Sequence, residues 1–365
     1  KLLSDSTEHI KELMVMQEMQ QPKKTFLLNR GQYDAPAKQV FPNTPEKILP
    51  FPSQLPKNRY GLAQWLTDVR NPLTARVAVN HLWQNFFGRG LVKTAEDFGN
   101  QGEMPSHLDL LDWLAIELRD NNWDIKKLNK LIVMSATYQQ DSKASPLLNE
   151  KDPENKLLAR GPSMRLSAEM IRDNALTASG LLNKKLGGKS VYPYQPEGLW
   201  EINGTKYNQD TTDQVYRRSL YIVLKRTVPN PTLANFDGPT RASCLVRRQS
   251  TNTPLQALVT LNDPTFIEAA KVIGESITKQ QNTEAAISKA YQQLTGTTPT
   301  TKQMALLNAL QQSEYNKFKA YPNKIKGWIN TGLYKIDKTL DPYWVAANSV
   351  VASTILNSDA TITKR

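Results

Sequence analysis

At Asn71-Pro72, Thr253-Pro254 and Thr298-Pro299 a helix-capping residue is followed at once by proline. A cap side chain accepts an orphan backbone N–H, and proline at the first helical position forfeits no hydrogen bond. Each pair therefore marks a helix start, and the apolar spacing that follows makes the chain mainly α. After Asn71-Pro72 the stripe Ala75, Val79, Leu82 and Phe86 predicts a helix to about Phe87, stopped by a left-handed Gly88. Ser106, with Asp109 three residues on, resembles a capping box ahead of a helix over Leu108–Leu118. Asp124 opens another, with Leu128, Leu131 and Ile132 inward. Ser167 starts a helix expected to reach Leu181 and to end near Gly187-Gly188. Thr253-Pro254 leads into Leu255–Leu261, Thr298-Pro299 into a long helix to about Phe318, and a last helix covers Tyr343–Leu356.

Strands are expected to be few and short. Glu8–Gln21 carries a brief helical pattern, Thr25–Leu28 reads as extended, and Leu220–Leu224 is the best strand candidate beyond it. Pro36, Pro42, Pro45, Pro50, Pro52 and Pro56 fix φ and remove donors, so this stretch should lie extended as an arm over a neighbouring surface. The fold class is a multi-helix globular domain with a few short strands and that Pro-rich N-terminal arm. A working division is an arm over 1–57, a helical subdomain over 58–185, a loop-rich arginine-rich segment over 186–252 and a C-terminal helical subdomain over 253–365. It is compatible with one continuous domain.

Hydrophobic residues, 39% of the chain, are spread along its length, and no apolar run approaches the roughly 18–20 residues that span a bilayer. Lys and Arg number 46 against 34 Asp and Glu, a formal +12. Such a surplus suits an anionic glycan, acidic lipid, nucleic acid or an acidic partner. Scattered lysines such as Lys184, Lys185, Lys324 and Lys326 read instead as a solvated surface. The single cysteine, Cys244, rules out an intrachain disulfide and a cysteine-rich zinc site, and no C-x-x-C-H is present to attach a c-type haem. His9, His81 and His107 are too separated to make a metal motif, so no metal site is expected. The first residue is Lys1, without an initiator Met or a signal peptide, and the chain reads as the interior of a longer product.

Chemistry is most concentrated between residues 217 and 248. Arg217, Arg218, Lys225, Arg226, Arg241, Arg247 and Arg248 stand there against one acid, Asp237. Guanidiniums are planar, bidentate donors for carboxylate, sulfate or phosphate, so the segment is a candidate anion site; the alternative is ion pairing that holds subdomains together. A second candidate is the stripe Arg76, Asn80 and Gln84 on the first long helix. His81 beside it could be a general base oriented by Glu96 or Asp97, or a histidine of a buried network. Glu169 and Asp173 share a helical face next to Arg172, as an acid–base pair or as partners of arginines. Cys244 among its arginines is either an activated thiol or a small hydrophobe. Ser219, Ser243 and Ser250 lack a nucleophile-elbow context, and no phosphate-binding glycine pattern is present. Trp83, Trp113 and Trp123 read as core. Tyr192, Tyr194, Trp200 and Tyr207 fall in the long loop, as a stacking platform or as pins.

Several stretches carry a family resemblance, in order along the chain. They are Asn80-His81-Leu82-Trp83-Gln84 through Phe87-Gly88-Arg89-Gly90-Leu91-Val92 to Asp97-Phe98-Gly99, then Leu111-Asp112-Trp113-Leu114 and Met134-Ser135-Ala136-Thr137-Tyr138. Arg165-Leu166, Arg172-Asp173, Arg217-Arg218-Ser219-Leu220-Tyr221, Lys225-Arg226, Phe236-Asp237 and Ser250 to Leu258 follow. Together they resemble the planctomycete cytochrome-associated C-terminal domain of unknown function, the PSD-one or domain-of-unknown-function 1553 family. The resemblance implies an exported protein with a cytochrome c-like domain and a second uncharacterised domain upstream. Any haem c would then belong to that upstream part, and this chain would carry no cofactor. It supplies no catalytic residues. The function expected is an accessory or binding module that recognises a partner domain or an anionic ligand. The alternative is a hydrolase or lyase on an acidic or sulfated polysaccharide, with His81, Asp97 and Asp173 converging with the arginines. Export argues against a nucleic-acid partner.

Overall fold

The computed structural model describes residues 14–201 and 204–364. The chain divides into two compact units, one of residues 1–80 and 107–128, the other of residues 81–106 and 129–365. It is mainly helical, with two small two-stranded sheets among the described residues.

In the first unit β1 (Thr25–Leu28) and β2 (Pro36–Val40) form an antiparallel ribbon closed through a left-handed Arg30 and Gly31. Thr25–Leu28 is thus the strand expected. The Glu8–Gln21 pattern fares differently: its first residues lie outside the described ones, and residues 14–21 are irregular. That stretch runs into Pro22 and its methionines stay exposed, so no buried face stabilises a helix. Glu18 instead pairs with Arg59 at 2.8 Å. The Pro-rich stretch then packs locally: the Trp65 indole donates to Leu49 O at 2.8 Å, and Gly61 of α1 (Arg59–Leu66) lets Pro56 and Phe51 approach closely. α2 (Thr74–Phe87) begins two residues after Pro72, which stands outside the helix, with Asn71 Oδ1 accepting from Leu73 and Thr74 N–H. Gly88 closes it at φ +77°.

At the start of α3 (Leu108–Asp120) the residue in the N-cap position is His107, whose side chain makes no capping bond, and Ser106 Oγ donates to Leu91 O. Trp113 on α3 is exposed, not core, because the helix buries Leu111, Leu114, Ala115 and Leu118 on another face. α4 (Ile125–Val133) is capped by Asp124. It buries Leu128 and Ile132, four apart on one face, and leaves Leu131 exposed off that stripe.

The second unit adds α5 (Pro146–Lys151), β3 (Met164–Arg165), α6 (Ala168–Ala178), α7 (Pro231–Asn235), α8 (Pro254–Asn262), α9 (Pro264–Thr278), α10 (Thr283–Thr295), α11 (Thr301–Ala320), α12 (Pro342–Leu356) and β4 (Thr363–Lys364). α6 starts at the Ser167 cap but ends at Ala178, short of Leu181, because Gly180 already takes φ +79°. α11 is capped by Thr300 with Gln303 in a capping box; Pro299 stands just outside the helix rather than inside it. Leu220–Leu224 is not a strand. Residues 219–221 form a 3-10 turn, and only Ile222 makes a bridge, to Val191. A β-prone run needs a neighbouring strand of matching length, and none is offered there.

The core of this unit is built on α9 and α12. Phe266, Ala269, Ala270, Ile273 and Ile277 from α9 pack with Val351, Ala352, Ile355 and Leu356 from α12, and with Ile171 and Ala175 from α6. Small residues set the spacing. A Cβ on Gly274 would lie 2.6 Å from Ser349 N, so glycine is what permits the close approach of these helices. α9 and α10 were not anticipated, although Asp263-Pro264 repeats the cap-and-proline signal and Asp263 does cap α9.

Candidate functional site

The arginine-rich segment resolves into arginines that build the loop and arginines that reach the surface. Arg217 is buried. Its guanidinium donates to Lys189 O at 3.0 Å, Lys185 O at 3.0 Å and Gly187 O at 2.6 Å, and stacks 3.8 Å above the Tyr221 ring. It organises the 185–189 turn by satisfying carbonyls that no secondary structure pairs. Arg172 of α6, also buried, does the same one layer in, donating to Arg217 O at 2.9 Å and Val215 O at 2.6 Å. Asp173 accepts from Ser219 N at 2.8 Å and Ser219 Oγ at 2.7 Å. Both residues of the Arg172-Asp173 pair are therefore engaged with the 215–219 backbone.

Asp237 forms a clamp further along. Its carboxylate accepts from Arg165 at 2.7 Å and from Thr251 N and Oγ1 at 2.9 Å each. Gln256 on α8 donates to Thr251 O at 3.1 Å and to Asn235 O at 3.0 Å. Burial alone would push the Asp237 carboxyl up; the Thr251 and Arg165 hydrogen bonds outweigh it and hold it below the usual range. The clamp closes the neck of a loop whose residues 240–252 are all exposed, Cys244, Leu245 and Val246 among them, with no regular secondary structure. Arg247 pairs with Glu96 at 3.1 Å, and Arg248 pairs with Glu169 through two bonds of 2.5 and 3.0 Å. Burial raises the Glu169 carboxyl, and the Arg248 bonds then bring it below its ordinary value.

Lys225 lies 4.6 Å over the Trp200 ring and donates to Thr205 Oγ1. Trp200 meets Tyr207 at 5.0 Å and Tyr192 at 5.9 Å, both edge-on, and Tyr207 OH donates to Pro193 O at 2.6 Å. These loop aromatics pin one another and the loop. Arg218 and Arg226 are exposed.

The α2 stripe does not act as one group. Arg76 pairs with Asp112 at 2.6 Å, which lowers the Asp112 carboxyl below its usual range. Asn80 is fully buried and Gln84 half-buried. His81 Nε2 is buried without a hydrogen-bond partner. Asp97 Oδ1 accepts from Gly99 N at 2.7 Å, closing a tight turn. Among the described residues no hydrogen bond or ion pair joins His81, Asp97 and Asp173, and no group of three or more His, Cys, Asp or Glu is placed to hold a metal.

What the sequence reading passed over is the polar spine of α9. Glu268, fully buried, accepts from Tyr194 OH at 2.7 Å, Tyr216 OH at 2.8 Å and Tyr334 N at 2.6 Å. Lys271 donates to Thr331 O and Tyr334 O, each at 2.6 Å, and Glu275 accepts from Asp337 N at 3.2 Å and Lys279 at 2.7 Å. Burial, reinforced by the bond to Glu268, pushes both the Tyr194 and Tyr216 phenols above the ordinary range; burial pushes the Lys271 amine down. Glu268, Lys271 and Glu275 share one helical face opposite the apolar stripe of Phe266, Ala269, Ile273 and Ile277, a pattern that reads as a solvated face, so their burial was not legible in the periodicity.

The first unit exposes a group of large apolar side chains. Met14 and Tyr33 are essentially free of contacts at 105% and 90% exposure, Phe41 is 73% exposed, and Val15, Met16, Met19, Leu27 and Leu28 are exposed as well. Side chains alternate along a strand, so Leu27 and Leu28 look out from opposite faces of the ribbon.

Fold and surfaces together define a mainly helical domain in which buried arginines and carboxylates stabilise long loops, with an apolar ribbon left uncovered. Residues 58–311 match the family model described as a protein of unknown function (DUF1553), and the chain belongs to that family, PSD1. No curated protein and no solved structure matches it.

Proposed function

We propose that this chain is a binding module of an exported, cytochrome c-associated multidomain protein, and that it docks its partner domain through residues 14–57. The observation that carries the reading is the ribbon, which exposes large apolar side chains on both of its faces. A lone two-stranded ribbon is marginal in water, and each such side chain gains about 1.5–3 kcal/mol when covered. A surface of this kind fits a protein groove, which can meet both faces, better than a flat lipid surface, which meets one. The resemblance to cytochrome-associated proteins supports an upstream, haem-bearing part of the same product as the occupant. An anionic ligand, as a secondary role, would meet Arg218, Arg226 and Arg241 and not Arg217, whose donors already hold three carbonyls.

The test is the intact mass and haem content of the product purified from its native source, with lysine cross-linking and mass spectrometry. A larger haem-bearing product with cross-links from Lys23, Lys24 and Lys38 into its haem-bearing part is expected. A haem-free product ending near Lys1, or cross-links from these lysines confined to this chain, overturns the proposal.

A further inference from the structure

Three basic doublets lie in the arginine-rich segment, and the structure treats them differently. In Arg217-Arg218 the first guanidinium is buried under three carbonyl contacts and the Tyr221 ring. In Lys225-Arg226 the lysine is laid on Trp200 and bonded to Thr205. Arg247-Arg248 stands within thirteen consecutive exposed residues, 240–252, without helix or strand. An endoprotease must draw several residues in extended form through its cleft, which regular structure and buried side chains prevent. Only the third doublet meets that condition.

We propose that Arg247-Arg248 is a processing site for an endoprotease specific for paired basic residues. Water adds across the Arg248–Gln249 peptide bond, leaving a carboxylate on Arg248 and an ammonium on Gln249. The product is a two-chain protein that stays together. α6 and α7 precede the cut and α9, α10 and α12 follow it, yet all contribute to one buried cluster: Ile171, Ala175 and Leu233 on one side, Phe266, Ile273, Ile287 and Ile355 on the other. The Asp237–Thr251 clamp also joins the two pieces across the cut.

The ion pairs Arg247–Glu96 and Arg248–Glu169 act as the latch on this site. Both arginines must leave their carboxylates to enter a protease; the Arg247–Glu96 pair is about half exposed and opens at little cost, while Arg248, bonded twice to a Glu169 that is 23% exposed, is held more tightly. Removing either carboxylate should raise the cleavage rate about 1.5- to 5-fold.

The experiment uses the full chain and a subtilisin-class endoprotease that cuts after basic pairs. The expected result is one cut within residues 186–252, after Arg248, with the pieces on either side of it co-eluting on size exclusion with unchanged helical circular dichroism, and faster cutting there of the Glu169→Gln and Glu96→Gln variants. Arg247→Gln/Arg248→Gln should resist, while the urea-unfolded chain should be cut at all three doublets. First cleavage after Arg218 or Arg226, no cleavage of the folded chain, or separation of the fragments overturns the proposal.

Discussion

Replacing Glu268 by alanine removes the acceptor of three donors at once: the Tyr194 and Tyr216 hydroxyls and the Tyr334 N–H. Each orphaned buried donor costs about 1–3 kcal/mol, a gross loss of about 3–9 kcal/mol. The carboxylate's own burial is relieved in the variant, which returns several kcal/mol and leaves a net destabilisation of about 2–4 kcal/mol. For a unit of this size that corresponds to a fall in Tm of about 10 °C. Tyr216→Phe deletes one donor and should cost about 1 kcal/mol. Tyr194→Phe should cost more, because the Tyr194 oxygen also accepts from Leu333 N at 3.0 Å and its removal orphans that amide too. In the Glu268→Ala background the Tyr216→Phe cost should vanish, since the hydroxyl it removes has already lost its acceptor. The assay is urea unfolding followed by circular dichroism for the full cycle. Strict additivity, or a Glu268→Ala cost below about 1 kcal/mol, would refute the network.

Alkaline pH should unfold the protein early. The Tyr194 and Tyr216 phenols are raised in the fold, so above the unfolded value of about 10 the unfolded chain loses protons that the fold retains, and stability falls with rising pH. Absorbance at the phenolate band should show these two tyrosines ionising only with unfolding; early titration of all of them contradicts this. Asp237 works in the opposite window. Its carboxyl is lowered, so its contribution is present above about pH 4 and lost as acid protonates it, and Asp237→Asn should flatten the stability change between pH 7 and 3. Asparagine tolerates the left-handed backbone at this position, so the variant isolates the charge. Arg217→Met should cost about 2 kcal/mol and speed amide hydrogen exchange around residues 185–189, because three carbonyls lose charged donors. Unchanged exchange there would return Arg217 to the ligand-binding candidates.

Helix starts were readable because their signals are local. Asn71, Asp124 and Ser167 satisfy the first free N–H groups of the helix that each opens, and that chemistry needs nothing from elsewhere in the chain. The same grammar at Asp263-Pro264 was legible and passed over, and with it the helix that organises the second unit. Leu220–Leu224 failed for a different reason: a strand exists only through its partner, and Val191 supplies a single bridge. Trp113 and Leu131 show the same limit within a helix, where one apolar residue too many on the wrong face stays in water.

The arginines give the sharpest case of what a sequence leaves open. Arg217 and Arg218 are adjacent and identical, yet one is buried on backbone carbonyls and the other is exposed. The difference is set by where the 185–189 turn leaves carbonyls without amide partners, which depends on residues some thirty positions away. A long irregular loop has more carbonyls than its own amides can satisfy, and a guanidinium with five donors is an efficient way to meet that need in a tight space. The richness in arginine between 217 and 248 is thus partly a consequence of the length of the loop before it. Only the arginines beyond that demand are left for recognition or processing.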